Sequence, residues 1–214
     1  SGEFEGYLDA ALTLHDWDDF AARRQDACKR GRLAGIGLGM YIQIPVGARD
    51  EWGSITIKPD GRVAFLSGSL AQGQGHETSF RQVIHDWLGV PFDSIDMTTG
   101  DTDIIPIGGG THSDRSMRLS GAVMVWSSEE IIKKGKRIAA HLLEAAEEDI
   151  EFTTGVFSIT GTDRTVGIFE AAQAATTTAV PEDLRGPLKG EHHLDRRLPA
   201  YPAGCAICEV EIDP

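Results

Sequence analysis

Two short glycine-rich stretches, each running straight into an amphipathic segment, constrain this chain more than any other feature. The first is Gln72-Gly73-Gln74-Gly75-His76-Glu77-Thr78, and the second is Gly108-Gly109-Gly110-Thr111-His112-Ser113-Asp114-Arg115-Ser116. Of 214 residues 25 are glycine, about 12% against roughly 7% in an average protein, and many of the extra ones sit in these two stretches. Small residues before a helix leave backbone N–H groups bare, where the aligned peptide dipoles favour an anion or an electron-rich ligand. The same glycines also suit a tight turn with positive φ. The first stretch is not a dinucleotide fingerprint, because Thr78 replaces its third glycine. In the second, the planar fork of Arg115 with Ser and Thr hydroxyls suits a phosphate, and Ser113 or Asp114 acting as a plain helix cap accounts for the same residues. Asp114 also places a negative charge beside any anion held there.

Hydrophobic spacing supplies the rest of the framework. Trp17, Phe20, Ala21 and the stem of Arg24 recur at helical intervals, predicting a helix from His15 to Arg30 within a leading helical segment, 6–30, that stops at Gly31. Ile36, Leu38, Met40, Ile42 and Ile44 alternate from Gly35 to Pro45, a strand with a buried face. Trp52–Lys58 and Arg62–Leu66 flank the turn Pro59-Asp60-Gly61, so three antiparallel strands are expected to open the domain. Phe80, Val83, Ile84, Trp87 and Leu88 put one apolar stripe on a helix from His76 to Leu88. A short strand, Ile95–Thr98, leads into an irregular loop, Gly100 to Thr111. A long helix is predicted from Ser116 to Glu148, with Val123, Trp126, Ile131, Ile138 and Leu142 near one face. A hairpin over Phe152–Thr160, a short helix over Thr165–Ala174, a polar loop over 176–202 and a closing strand over 203–214 complete the order. The expectation is an α+β fold, a mixed sheet with helices packed on one face, built as a single domain over 1–214 with its core at 33–175. Ser1 at the start and a strand running to the last residues read as a piece of a longer chain.

Charge and cysteine usage exclude several classes. Asp and Glu number 33 against 20 Lys and Arg, a formal charge of -13, and such a surface repels phosphate backbones and anionic lipids, so no nucleic-acid partner is expected. No apolar run approaches the roughly 20 residues that span a bilayer, and the acidic start (Glu3, Glu5, Asp9) is unlike a signal peptide. Three cysteines form no disulfide framework and fit a reducing, cytoplasmic compartment. Cys205 and Cys208 are spaced like half a zinc knuckle, yet the segment reads as a buried strand, and no metal ligand is assigned. Cys28 reads as a packed or partly exposed thiol. His192 and His193 read as solvated in the polar loop, and His76, His85 and His141 lack carboxylates at ligand spacing.

Taken together and in this order, the motifs resemble the molybdopterin-binding large subunit of the xanthine dehydrogenase and aldehyde oxidase family. The resemblance is carried by Gly73-Gln74-Gly75-His76-Glu77-Thr78, by Gly100-Asp101-Thr102-Asp103 with Pro106, and by Gly110-Thr111 and Arg115-Ser116 before Gly121-Ala122. It is greatest toward the large subunit of aerobic carbon monoxide dehydrogenase and its paralogues, and it implies a molybdenum-cofactor-binding domain. By that resemblance Gln74 offers its side-chain amide to the molybdenum site, while Gly73, Gly75, His76 and Thr78 line the metal and dithiolene. Gly110, Thr111, Ser113, Arg115 and Ser116 would hold the pterin and its extension, a cytosine dinucleotide. The family's glutamate base in a Gly-Val-Gly-Glu run, an upstream Phe-Gly loop and the copper-holding cysteine loop are not among these residues. The expectation is therefore a piece of an oxidoreductase that alone is inactive and without cofactor, and no residue here is assigned a catalytic role. The implied partners are iron–sulfur and flavin subunits or domains and a small-molecule substrate, and open apolar faces are expected to favour a homo-oligomer. The alternative is a non-catalytic phosphate- or nucleotide-binding module using the same two helix starts.

Overall fold

The computed structural model describes residues 2–44, 47–196 and 198–214. In chain order its main elements are α1 (Phe4–His15), α2 (Phe20–Lys29), β1 (Leu33–Ile42), β2 (Glu51–Ile57), β3 (Val63–Ser67), α3 (His76–Leu88), β4 (Ile95–Thr99), α4 (Arg115–Leu143), β5 (Ile150–Thr153), β6 (Val156–Ile159), β7 (Thr165–Gly167), α5 (Ile168–Ala174), β8 (Leu188–Leu194) and β9 (Ala203–Ile212). They divide into two compact units, Ser1–Pro45 with Pro199–Pro214, and Val46–Leu198.

In the first unit β1 and β9 form an antiparallel ribbon, Leu33 opposite Ile212 and Ile42 opposite Ala203. The expected trio of opening strands is therefore corrected: β1 pairs with β9, while β2 pairs with β3 and β8. Pro45, where the first strand was expected to close, lies outside the described residues. The leading helix read over 6–30 is two helices, because Asp16 adopts a left-handed φ of 54° that a right-handed helix cannot continue through. The α1 helix has no buried residue. Arg23 and Arg30 reach across to Glu209 and Glu211 of β9 at 2.8 and 2.7 Å, and Arg30 and Arg32 together hold the Glu211 carboxyl down to about 2. The closing strand is not the buried strand expected: Ala206, Cys208 and Val210 are exposed. Cys205 and Cys208, three apart on a strand, point to opposite faces. Cys28 is exposed.

The second unit is built on a four-stranded mixed sheet, order β4-β3-β2-β8, in which only the β3–β4 pair is parallel. Ile55 and Ile57 lie opposite Phe65 and Val63, and this apolar face receives both α3 and α4. Phe80 of α3 meets Phe65 edge-on at 6.3 Å, and a Cβ on Gly53 would lie 3.0 Å from Val123 of α4. The expectation of an α+β fold with helices on one face of a mixed sheet is met. A second sheet, β5-β6-β7, packs on the far half of α4, where Gly135 leaves room for the ring of Phe157.

Further readings differ. Leu38, Met40, Ile42 and Ile44, expected on a buried face of the first strand, are exposed, because β1 has only β9 as a partner among the described strands. The helix expected over Thr165–Ala174 begins as strand β7, Thr165–Gly167, with α5 starting at Ile168. Trp87 is exposed, and Phe80, Ile84 and Leu88 form the buried stripe of α3. The α4 helix stops at Leu143, not Glu148, because Glu144 turns left-handed at φ 50° and its N–H closes on the carbonyls of Ala140 and His141. The polar loop over 176–202 contains β8, which pairs with β2 and carries His192 and His193. Its inward positions are Leu188, Gly190, His192 and Leu194, so glycine and histidine interrupt the apolar alternation that marks a strand. Arg197 lies outside the described residues.

Gly190 shows why the interruption is tolerated: a Cβ there would collide with the backbone of Ser127 in α4. Gly190→Ala should lower stability by about 1–3 kcal/mol, as overpacking does, read as a drop in the urea midpoint at unchanged slope. An unshifted midpoint would show that α4 and β8 can part at no cost.

Candidate functional site

Both glycine stretches leave the same end of the four-stranded sheet. The first follows β3 and opens α3, and the second opens α4. Backbone meets backbone between them: a Cβ on Gly108 would lie 2.5 Å from the carbonyl oxygen of Gly68, and Gly108 bridges to Glu51 at the start of β2. The carbonyl of Leu70 ties the two stretches together. It accepts from Thr111 Oγ1 at 2.6 Å and from Gln74 Nε2 at 3.4 Å, and Ser116 Oγ donates to Thr111 Oγ1 at 3.1 Å.

Within the first stretch Gly73 and Gly75 have φ of 99° and 80°. Gly75 is the α3 cap residue, with no side chain capping the helix. Gln74 is exposed, and its Oε1 accepts from the Gln72 amide. His76 is buried, stacked on Phe80 at 4.3 Å, and its Nδ1 has no hydrogen-bond partner among the described residues. Thr78 is exposed on the first turn, its N–H donating to Gly75.

The second stretch starts α4 with no side-chain cap either. Ser113 and Asp114 both adopt left-handed φ, 51° and 56°, so neither caps in the manner the sequence allowed. Ser113 Oγ meets His112 Nδ1 at 3.1 Å, and the other ring nitrogen of His112 meets the Gly109 carbonyl.

Arg115 differs from the sequence expectation of a fork closing on a bound anion. It is 1% exposed, and all three of its nitrogens donate to protein acceptors. Nε bonds Ala48 O at 3.0 Å, Nη1 bonds Gly110 O, and Nη2 bonds Asp50 O at 2.6 Å and Glu51 Oε2 at 2.8 Å. Glu51 is fully buried and continues the chain of contacts: Ser69 Oγ donates to Glu51 Oε2, and Ser120 Oγ of α4 donates to Ser69 Oγ, both at 2.9 Å.

Sequence reading missed Glu51, Ser69, Ser120 and the Leu70 carbonyl. A single acid before a strand and two isolated serines carry no local pattern, and only the meeting of β2, β3 and α4 makes them one network. The glycines sort into two kinds. At Gly68, Gly108 and Gly109 the space a side chain would need is filled by protein, whereas a Cβ at Gly73, Gly75 or Gly110 would meet nothing within 4 Å. Open backbone before two uncapped helices can receive an electron-rich or anionic ligand. Among the described residues no cluster of three His, Cys, Asp or Glu could hold a metal ion, and no helix is long and apolar enough to cross a membrane.

The chain is similar to several known proteins. The family model for a molybdopterin cofactor-binding domain matches residues 10–214. The large chain of carbon monoxide dehydrogenase from Afipia carboxidovorans is 33% identical over 205 residues, covering 89% of this chain and 25% of that protein. The gamma subunit of the 6-hydroxypseudooxynicotine dehydrogenase complex from Paenarthrobacter nicotinovorans is 29% identical over 216 residues, covering 100% of this chain and 27% of its own. A crystal structure of Cu,Mo-CO dehydrogenase matches with a TM-score of 0.88 at 30% identity, over 100% of this chain and 29% of the other. The chain thus spans between 25% and 29% of the length of these relatives, none of which supports a free-standing phosphate- or nucleotide-binding module.

Burial pushes the Glu51 carboxyl up from its ordinary 4.5, against the pull of Arg115 and the Ser69 hydroxyl. A carboxyl raised in the folded state stabilises fully below its unfolded pKa and loses that contribution as pH rises through its folded value. Between pH 4.5 and neutrality, wild type should therefore lose unfolding free energy relative to Glu51→Gln. Urea denaturation at stepped pH checks this, and a difference that stays constant with pH overturns it.

Proposed function

The chain belongs to the molybdopterin cofactor-binding domain family, and from that premise we propose that it forms part of the cofactor cage of a molybdenum hydroxylase large subunit. The convergence of Gln74 and Thr111 on one carbonyl, Leu70, carries the proposal, because it brings two uncapped helix starts to one place. The residues present fit such a group: open glycines at 73, 75 and 110 let it approach the backbone, and His76 Nδ1 is a buried atom without a partner among the described residues. When bound, a molybdenum–pterin group supplies two-electron oxidation of a small molecule.

The chain's own contribution is placement. Gly73, Gln74, Gly75, His76 and Thr78 would line one side, the neutral amide of Gln74 donating a hydrogen bond without adding charge. Gly110, Thr111, Ser113 and Ser116 would line the other, their N–H groups and hydroxyls facing a pterin and its phosphates. The uncapped α4 start supports a pyrophosphate-bearing form such as the cytosine dinucleotide. Residues 1–214 would act as one domain within the larger subunit. Relatives that are subunits of complexes, as the gamma subunit of the 6-hydroxypseudooxynicotine dehydrogenase complex is, support iron–sulfur and flavin partners. Free cysteines support a cytoplasmic site, and the exposed Tyr41, Ile42, Val210 and Ile212 support self-association.

The test uses the longest natural chain. Metal analysis and pterin fluorescence should find molybdenum and pterin bound, and their absence would refute the proposal. Gln74→Ala should keep the fold and lower turnover more than tenfold, in line with the about 2.7–4 kcal/mol lost with one oriented donor in a water-poor site. Unchanged turnover at full metal occupancy would remove Gln74 from the site.

A further inference from the structure

We propose that Arg115 is a positioning residue for the cofactor, and that with Glu51 it staples the second glycine stretch in place instead of binding the ligand's phosphates. The inference rests on the cofactor reading above and concerns how the α4 start is held.

The backbone at Ser113 and Asp114 takes two consecutive left-handed residues, neither of them glycine. Such a conformation persists only where its surroundings over-determine it. The Arg115 guanidinium provides that on both sides of the pair. It bonds the Gly110 carbonyl before it, and its own backbone follows it as the first residue of α4. The same group bonds the carbonyls of Ala48 and Asp50, so the stretch is fixed to the chain that leads into β2. Glu51 supplies the counter-charge that lets a guanidinium be buried, and Ser69 and Ser120 carry the link on to the exit of β3 and to α4. Gly109 is required for the packing, since a Cβ there would lie 2.5 Å from Arg115 Cζ. A guanidinium whose three nitrogens are engaged and whose charge is matched has little left for an external anion.

The two roles diverge for Arg115→Lys. Lysine keeps the positive charge but lacks the planar fork that reaches several acceptors at once. In the full-length protein, pterin per chain should fall tenfold or more in Arg115→Lys. Amide exchange over residues 108–116 should accelerate at least tenfold, while exchange over residues 150–159 stays at the wild-type rate. Near-normal pterin in Arg115→Lys would overturn the proposal, because charge alone would then suffice. Exchange that accelerates equally at both segments with pterin retained would also overturn it, marking a purely structural contact. Gly109→Ala displaces the guanidinium without altering any charge, and it should reproduce the local acceleration and the pterin loss. Should Arg115→Lys not fold, Gly109→Ala decides alone, and wild-type pterin content in it overturns the proposal. Absence of pterin from wild type defeats the cofactor reading and the cofactor role of Arg115 with it, and the exchange contrast then reports only whether the staple holds the stretch.

Discussion

A buried ion pair between Arg115 and Glu51 ties together the end of the mixed sheet where the two glycine stretches meet. Desolvation of such a pair commonly cancels most of its attraction, and the raised Glu51 carboxyl shows burial outweighing the pull of the guanidinium. The pair is therefore a poor source of stability and a good source of geometry. Its partners come from the lead-in to β2, the exit of β3, the second glycine stretch and the first turns of α4. If any one shifted, a buried charge or hydroxyl would lose its acceptor, so the four segments are held to one arrangement.

Around that fixed point the glycines divide the labour. Gly68, Gly108 and Gly109 are small because protein fills the space beside them, and they let the two stretches press together. Gly73, Gly75 and Gly110 take positive φ and have no described atom within 4 Å of where a Cβ would sit. Close packing behind and bare backbone in front give a surface that is rigid yet free of side chains, which suits a bulky planar ligand. The same amino acid thus serves opposite purposes within a few residues, a distinction invisible until the neighbours of each are known.

The sequence was most legible where one period or one turn dominated. Phe80, Ile84 and Leu88 marked α3, and the Pro59-Asp60-Gly61 turn marked the β2–β3 hairpin. Glycine stretches opening helices were legible as helix starts, since their backbone requirement is local. Legibility failed where partners are distant. The β8 strand hid because Gly190 and His192 occupy its inward positions, and the break between α1 and α2 hid because nothing in the local pattern marks the left-handed φ of Asp16. Arg115 looked like an anion ligand because a free arginine before a helix would be one. Only the carbonyls of Ala48 and Asp50, over sixty positions earlier in the chain, show where its fork goes.

The β1–β9 ribbon carries a consequence for how the chain matures. Its strands pair along their whole length, yet roughly 160 residues separate them, and closing a loop of that size carries an entropic cost that grows with its length. During synthesis residues 33–42 emerge long before 203–212, so β1, with Gly35, Gly37 and Gly39 and an apolar residue at most other positions, waits with both edges unpaired. Residues 46–198 contain all the strand partners of the mixed sheet and can form that sheet in the interval. Among the described strands the ribbon is then the last ladder to form, and β1 is the segment for which a chaperone or a premature strand partner would compete.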